Sequence, residues 1–291
     1  MHAKVCRSEF KMREIHTDDI IQVIKEMCIH ANYQLSHDME EVITNSEKME
    51  LSPIGKPILN QLIENIKIAK EDKIPICQDT GMAVVFLKIG QKVCIKGMDI
   101  TEAINKGIAE GYEEGYLRKS IVEDPFIRTN TNTNAPGVIH YEIVPGDKIE
   151  ITITPKGFGS ENMSRVYMLK PSDGIEGVKQ AVVETVQLAG PNACPPIVVG
   201  VGIGGNFEYC TYLAKKALTR DIGDSSPFEH IKKLEDELLE EINKLGIGPG
   251  GLGGRITALG VKIETYPTHI AGLPVAINIC CHVNRHITRT I

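Results

Sequence analysis

Residues 77–81, Cys-Gln-Asp-Thr-Gly, set a thiol, an amide, a carboxylate, a hydroxyl and a backbone hinge in succession. They stand at the mouth of an apolar run whose Ile74, Ile76, Val84, Val85 and Phe86 are expected inside. Two further cysteine sites share this setting: Cys194 in PNACPP and the pair Cys280-Cys281 in INICCHVNRH. All sit beside glycine, proline or polar residues rather than on an amphipathic stripe. The gaps between them are far longer than those of zinc fingers or ferredoxin runs. Long gaps still allow three loops to converge on one cofactor, and a Cys followed by Pro recurs at iron–sulfur ligands. The competing reading is plain packing of small apolar thiols.

Three thiolates on a cubane cluster would leave one iron without a protein ligand. Such an iron acts as a Lewis acid toward a hydroxyl and a carboxylate, which suits adding or removing water. Asp79 is then a natural proton carrier; its alternative role is to cap the turn at Thr80-Gly81. Arg118, Arg128, Arg165 and Arg255 border polar or glycine-rich segments and are candidate carboxylate clamps, since the guanidinium fork matches a carboxylate. RTNTNTNAPG (128–137) and KGFGSENMS (156–164) are rich enough in donors to wrap a small dianion, or to close on themselves as turns.

Two glycine-rich stretches need separate treatment. Gly200, Gly202 and Gly205 spell G-x-G-x-x-G, with Asp221 about twenty residues on. A dinucleotide site requires a second strand before that acid, and AKKALTRDIGDSS offers none, so a tight turn of other purpose is expected. GIGPGGLGGR (246–255) lacks the Lys-Ser/Thr of a phosphate loop and reads either as a main-chain nest for an anion or as a connector.

The elements that carry these residues follow from periodicity. Thr17 opens a helix with Ile20, Val23, Ile24, Met27 and Cys28 on one stripe, Cys28 being core. Ser36 opens a second helix, and 53–70 a third. Residues 101–118 read as a helix carrying Ile104, Ile108, Tyr112 and Tyr116. GVIHYEIV and DKIEITIT alternate around Pro145-Gly146 and predict a hairpin. Residues 172–189 form a helix stopped by Gly190-Pro191. A strand through 195–205 leads into a helix over 207–219, and Phe228, Ile231, Leu234, Leu238 and Ile242 mark another, ended at Gly246. Residues 255–281 read as mainly extended. The fold class is therefore α/β (mixed α+β), a single domain over 1–291, mainly helical to about 72 and mixed α/β from 73.

Composition narrows the function. The chain of 291 residues is 42% hydrophobic and 24% charged, with a net charge of -6. That balance argues against a dedicated nucleic-acid surface. No run approaches the roughly 20 apolar residues of a membrane span, and the N-terminus carries no signal-peptide pattern. The eight cysteines are therefore expected in the reducing cytoplasm, with Cys6 in a loose terminus.

ICQDTG, RTNTNTNAPG, KGFGSENMS, the ACPP-to-GVGIGG segment, GPGGLGG and INICCHVNRH occur in one order. Together they closely resemble the α subunit of class I fumarate hydratase and of its relative L(+)-tartrate dehydratase, over the chain from about residue 15. The resemblance implies the N-terminal half of that fold and a 4Fe-4S cluster held by three cysteines, here Cys77, Cys194 and Cys281. Cys281 is preferred to Cys280 because it directly precedes HVNRH; Cys94 and Cys210 match no ligand motif. The resemblance also implies substrate contacts from Gln78, Asp79, Arg118 and the backbone of Gly159, with Asp79 as general acid. The catalytic base would come from a separate β subunit, since the chain stops where fused homologues continue. The implied reaction interconverts (S)-malate and fumarate, with dehydration of L-tartrate as the alternative. A non-catalytic iron–sulfur protein would need a fourth thiol from Cys94, Cys210 or Cys280.

Overall fold

The computed structural model describes residues 12–291; Cys6 lies outside the described residues. The chain runs β1 (Arg13–His16), α1 (Thr17–Tyr33), α2 (His37–Met49), α3 (Gly55–Asp72), β2 (Met82–Gly90), β3 (Val93–Lys96) and α4 (Ile100–Glu114). There follow β4 (Val138–Val144), β5 (Ile149–Lys156), α5 (Phe158–Glu161), β6 (Arg165–Leu169), α6 (Gly174–Ala189), β7 (Ile197–Gly205) and α7 (Phe207–Ala217). The last elements are α8 (Glu229–Lys244), β8 (Ala258–Thr268), β9 (Leu273–Cys280) and β10 (Ile287–Thr290). The fold is mixed α/β, as the periodicities require. No helix among the described residues is long and apolar enough to cross a membrane.

Two compact units form. The first comprises 12–30, Met82–Thr154 and Ile287–Ile291. Its main sheet has the order β10-β5-β2-β4, and β1 pairs with β3 in a separate two-stranded ribbon. Ile20, Ile24, Met27 and Cys28 are fully buried, which makes the first helix stripe the core face the sequence predicts. Burial alone pushes the Cys28 thiol up to about 12. Gly107 and Gly111 let α4 approach α1, because a Cβ there would press on Ile21, Ile24 and Cys28. α4 starts at Asp99, whose carboxylate accepts from Thr101 N and Glu102 N at 2.8 and 3.1 Å, the usual capping arrangement.

Three expectations fail, two of them in this unit and one, Ile74, in the second. α4 ends at Glu114 rather than at Arg118, and Tyr116, with φ 48°, is 90% exposed instead of continuing the stripe. Ile74 is exposed as well. The hairpin is absent: β4 and β5 lie on opposite edges of β2, with β4 parallel to it in the register Val84↔Val138. The connection crosses the end of β2, where Gly90 N, Gln91 N and Lys92 N donate to Lys148 O, Val144 O and Gly146 O, each at 2.8 Å. A buried strand needs both edges of its backbone satisfied. Pro145-Gly146 reverses the chain but does not choose which strand fills which edge.

The second unit comprises Ala31–Gly81 and Pro155–His286. Its sheet has the order β6-β9-β7-β8, with β7 antiparallel to β9 and parallel to β8. One core layer joins Val199, Val201, Ile263 and Ile277 to Val182, Val186, Leu234 and Leu238 of α6 and α8. Another joins Val198, Leu259 and Cys280 to Met39, Ile43, Leu59 and Ile66 of α2 and α3. Gly200 and Gly202 sit inside β7, where a Cβ would collide with the backbone of α7. These glycines serve helix–strand packing. Asp221 comes off the exit of α7 with no intervening strand, which removes the dinucleotide reading.

Candidate active site

The Cys77–Asp79 loop is pinned from behind. α3 ends at Lys73 in the left-handed conformation (φ 53°), and buried Ile76 donates its N–H to Asn32 O at 3.0 Å. Asn65 Nδ2 donates to Ile76 O at 2.8 Å. Cys77, half-buried, then packs against the α2–α3 core layer. Its Sγ accepts from Asp79 N at 3.4 Å and donates to Gln78 Oε1 at 3.4 Å. Gln78 is exposed.

Asp79 is fixed at both carboxylate oxygens. Oδ1 accepts from Gly81 N at 3.0 Å, and Oδ2 accepts from Phe158 N at 2.9 Å. The turn-capping role and a presented carboxylate therefore coexist in one residue. Gly81 (φ 75°) lies so close to Lys156 that a Cβ would stand 2.7 Å from its carbonyl carbon. The two loops touch through backbone.

The other thiols approach the same place. Cys194 ends a short 3-10 turn with φ 54° and is exposed. Partial desolvation pushes its thiol up, and the negative charge of Cys281, Cys77 and Asp79 adds to that push. Each of these three groups thus lies within electrostatic reach of Cys194. His282 Nδ1 lies 3.3 Å from Cys194 O, which ties the segment after Cys281 to the Cys194 turn. Among the described residues no three His, Cys, Asp or Glu side chains are gathered tightly enough to share one metal ion. Thiolates are the soft ligands that iron–sulfur clusters take.

Cys280 and Cys281 divide by burial. Cys280, the last residue of β9, is buried in the apolar layer, whereas Cys281 only packs against it. Cys194 feels Cys281 and not Cys280. A hydrogen bond between the two thiols draws Cys280 down to about 6 against the upward push of burial, helped by Lys156, Arg285 and Lys215. Cys210 is fully buried and hydrogen-bonded to Phe207 O.

KGFGSENMS splits into two faces. Lys156 (2% exposed) donates to Gly157 O at 3.0 Å and Ser160 Oγ at 2.8 Å, and pairs with Glu161 at 3.3 Å. Glu161 also pairs with Lys215 and accepts from Asn278 Nδ2 at 2.7 Å. Burial pushes the Glu161 carboxyl up, but Lys215 and Lys156 hold it below its ordinary value. Gly159 is exposed, with nothing within 4 Å of its Cβ position. Its backbone is open to approach.

The other candidates are found as follows. Arg118 lies in the first unit, exposed, after α4. RTNTNTNAPG closes on itself: Asn130 Oδ1 accepts from Asn132 N at 2.7 Å, and Thr133 Oγ1 from Ala135 N at 3.2 Å. Arg128 and Arg165 donate to carbonyls of their own turns. The glycine loop at 246–255 does bind an anion, and it is internal. Glu50, fully buried, accepts from Leu51 N, Ser52 N, Arg255 N and Ile256 N at 2.8 to 3.0 Å. Sequence reasoning missed both Glu50 and Arg285, whose only signal was a place inside HVNRH.

The sequence pattern of the family described as fumarate hydratase (fumerase) matches residues 21–290. A chain from Methanocaldococcus jannaschii, provisionally named L(+)-tartrate dehydratase subunit alpha, is 46% identical over 94% of this chain and 97% of its own. L(+)-tartrate dehydratase subunit alpha of Escherichia coli strain UTI89 is 33% identical over 92% of this chain and 89% of its own. That of strain K12 is 32% identical over the same shares, 92% and 89%. With a match over nearly its whole length, this chain belongs to the fumarate hydratase (fumerase) family.

Proposed function

We propose that this chain is the cluster-bearing subunit of a heteromeric hydro-lyase that interconverts (S)-malate with fumarate and water. The observation that supports the reading is that Cys194 lies within electrostatic reach of Cys77, Cys281 and the doubly anchored carboxylate of Asp79, on separate loops. The three thiolates would hold a 4Fe-4S cluster whose fourth iron, when bound, supplies Lewis acidity toward the leaving hydroxyl and a carboxylate.

The remaining roles belong to the protein. Asp79 hands its proton to the hydroxide as the carbon–oxygen bond breaks, so that water leaves, and it takes that proton back in hydration. Its two backbone donors keep the carboxyl from swinging out of reach. Gln78 offers its amide to the substrate, and Gly159 its backbone N–H. Arg118, in the first unit, is assigned a substrate carboxylate by family resemblance alone. The proton on the carbon beside the other carboxylate goes to a base on a separate β subunit, a partner supported by the relatives' names as alpha subunits. No nucleic acid or membrane enters the reading. None of the seven described cysteines forms a disulfide.

A second reading has its own support: the 46% identical relative carries a tartrate dehydratase name. Tartrate adds one hydroxyl to malate, and a site built to hydrogen-bond that group would strongly reject the substrate lacking it. Anaerobic reconstitution with the β subunit, followed by iron and sulfide counts and turnover of each acid, tests both. About four irons per chain with malate turnover supports the first reading, and exclusive tartrate turnover supports the second. A cluster that resists losing one iron, with neither activity, would point instead to a fourth protein ligand and a redox role.

A further inference from the structure

Arg285 is buried, 3% exposed, and the chemistry above does not use it. Its Nη2 donates to Asp79 O at 2.6 Å, and its Nε donates to Pro155 O at 3.3 Å. These carbonyls belong to the two stretches whose contact orients the acid. One is the peptide of Asp79 itself. The other belongs to the penultimate residue of β5, three residues before Phe158, whose N–H holds Asp79 Oδ2 at 2.9 Å. Arg285 also follows Cys281 by four residues, so one side chain links the third-thiol segment to the acid loop and to the turn the acid leans on.

A guanidinium suits this place. Its donors diverge in one rigid plane, so holding one carbonyl fixes the direction of the other. An ammonium has no such plane. The close backbone approach of Gly81 to Lys156 leaves little slack between the loops, so a change in their spacing passes directly to the carboxylate. We infer that Arg285 is a positioning residue for Asp79, holding the acid loop and the 155–158 turn at the spacing that aims the carboxylate. The inference rests on the reading of Asp79 as the general acid.

The test is a double-mutant cycle on the holoenzyme assembled with its partner subunit, using (S)-malate or L-tartrate, whichever the wild type dehydrates. Arg285→Lys, Asp79→Asn and the double variant are compared for iron and sulfide content, kcat, KM and the pH profile of kcat. Arg285→Lys is expected to keep its cluster and its KM within about twofold. Its kcat should fall about 10- to 100-fold, as for a reacting group misplaced by a fraction of an ångström, with a displaced acid-dependent limb. In the Asp79→Asn background the same change should cost less than about twofold, since groups acting as a unit are not additive. Arg285→Gln, which keeps one planar donor, should fall between wild type and Arg285→Lys.

Equal losses from Arg285→Lys in both backgrounds would overturn the inference, as would wild-type kcat in that variant. Loss of the cluster in both Arg285→Lys and Arg285→Gln would also overturn it, because the residue would then hold the thiol segment instead. Wild-type turnover in Asp79→Asn alone would remove the acid reading, and this inference with it.

Discussion

Gly81→Ala probes how tightly the acid loop is held. Gly81 has φ 75°, and a Cβ there would stand 2.7 Å from the Lys156 carbonyl carbon, 2.8 Å from its nitrogen and 2.9 Å from its oxygen. Ordinary contact begins near 3.4 Å, so the loops must part by about 0.7 Å. Backbone atoms offer no rotamer through which to escape. Gly81 N also donates to Asp79 Oδ1 at 3.0 Å, so the parting stretches the bond that aims the acid. A misplacement of about 1 Å can cost about 100-fold, which predicts a fall of about 10- to 100-fold in kcat, or about 1.4–2.7 kcal/mol in barrier. The left-handed backbone adds strain of about 1–2 kcal/mol to the folded state. Gly174→Ala is the control: Gly174 also has a positive φ (54°, with ψ -154°), so an alanine there is strained too, but nothing lies within 4 Å of the added Cβ and kcat should stay within about twofold. The assay is steady-state turnover, normalised to bound iron and followed by the ultraviolet absorbance of the unsaturated product or by oxaloacetate release. A Gly81→Ala enzyme with full iron and wild-type kcat would refute the reasoning.

Asp79→Asn should retain its cluster while turnover drops by about 100-fold or more, the scale of a lost general acid; unchanged kcat would mean that another group carries the proton. Serine at Cys77, Cys194 or Cys281 should abolish stable iron binding, whereas Cys94→Ser, Cys210→Ser and Cys280→Ser should keep it. Iron counts across the six variants decide the matter, and loss at 280 with retention at 281 would reverse the choice between them. Glu50→Gln places amide hydrogens among four backbone donors, at a cost of about 2–4 kcal/mol in denaturant unfolding at neutral pH. Burial raises the Glu50 carboxyl, but the N–H groups of Arg255, Ser52, Ile256 and Leu51 outweigh it and hold the pKa below the ordinary 4.5. Its stabilisation is therefore complete above that value and lost as pH falls through the lower folded one. The gap between wild type and Glu50→Gln should close in acid, and a gap independent of pH would contradict the ionised carboxylate.

Much of this architecture was legible in local pattern. The stripe of Ile20, Ile24, Met27 and Cys28, the helix after Thr17 and the strand-to-helix turn at 197–207 all depend on side chains a few residues apart, which periodicity reports directly. ICQDTG and INICCHVNRH announced themselves by polar, thiol-bearing residues where packing alone asked for apolar ones. Spelling misled where one pattern serves two purposes. Gly200 and Gly202 let a helix lie against a strand, and Asn130 to Ala135 satisfies its own turns before any ligand.

The sequence by itself marked most of the helices and the strands through 197–205 and 255–281, and set Cys77, Asp79, Cys194 and Cys281 apart as candidates for chemistry. Tertiary structure decided the rest. It put β2 between β4 and β5, because a buried strand must satisfy both edges. It made Glu50 the anion of the glycine loop, more than two hundred residues away along the chain. It placed Arg285 on the carbonyls of Asp79 and Pro155. Local pattern records what one segment prefers. A buried carboxylate, a guanidinium or a strand edge finds its partner only when distant segments have met, since the partner must be whatever donor or acceptor the fold leaves dry beside it.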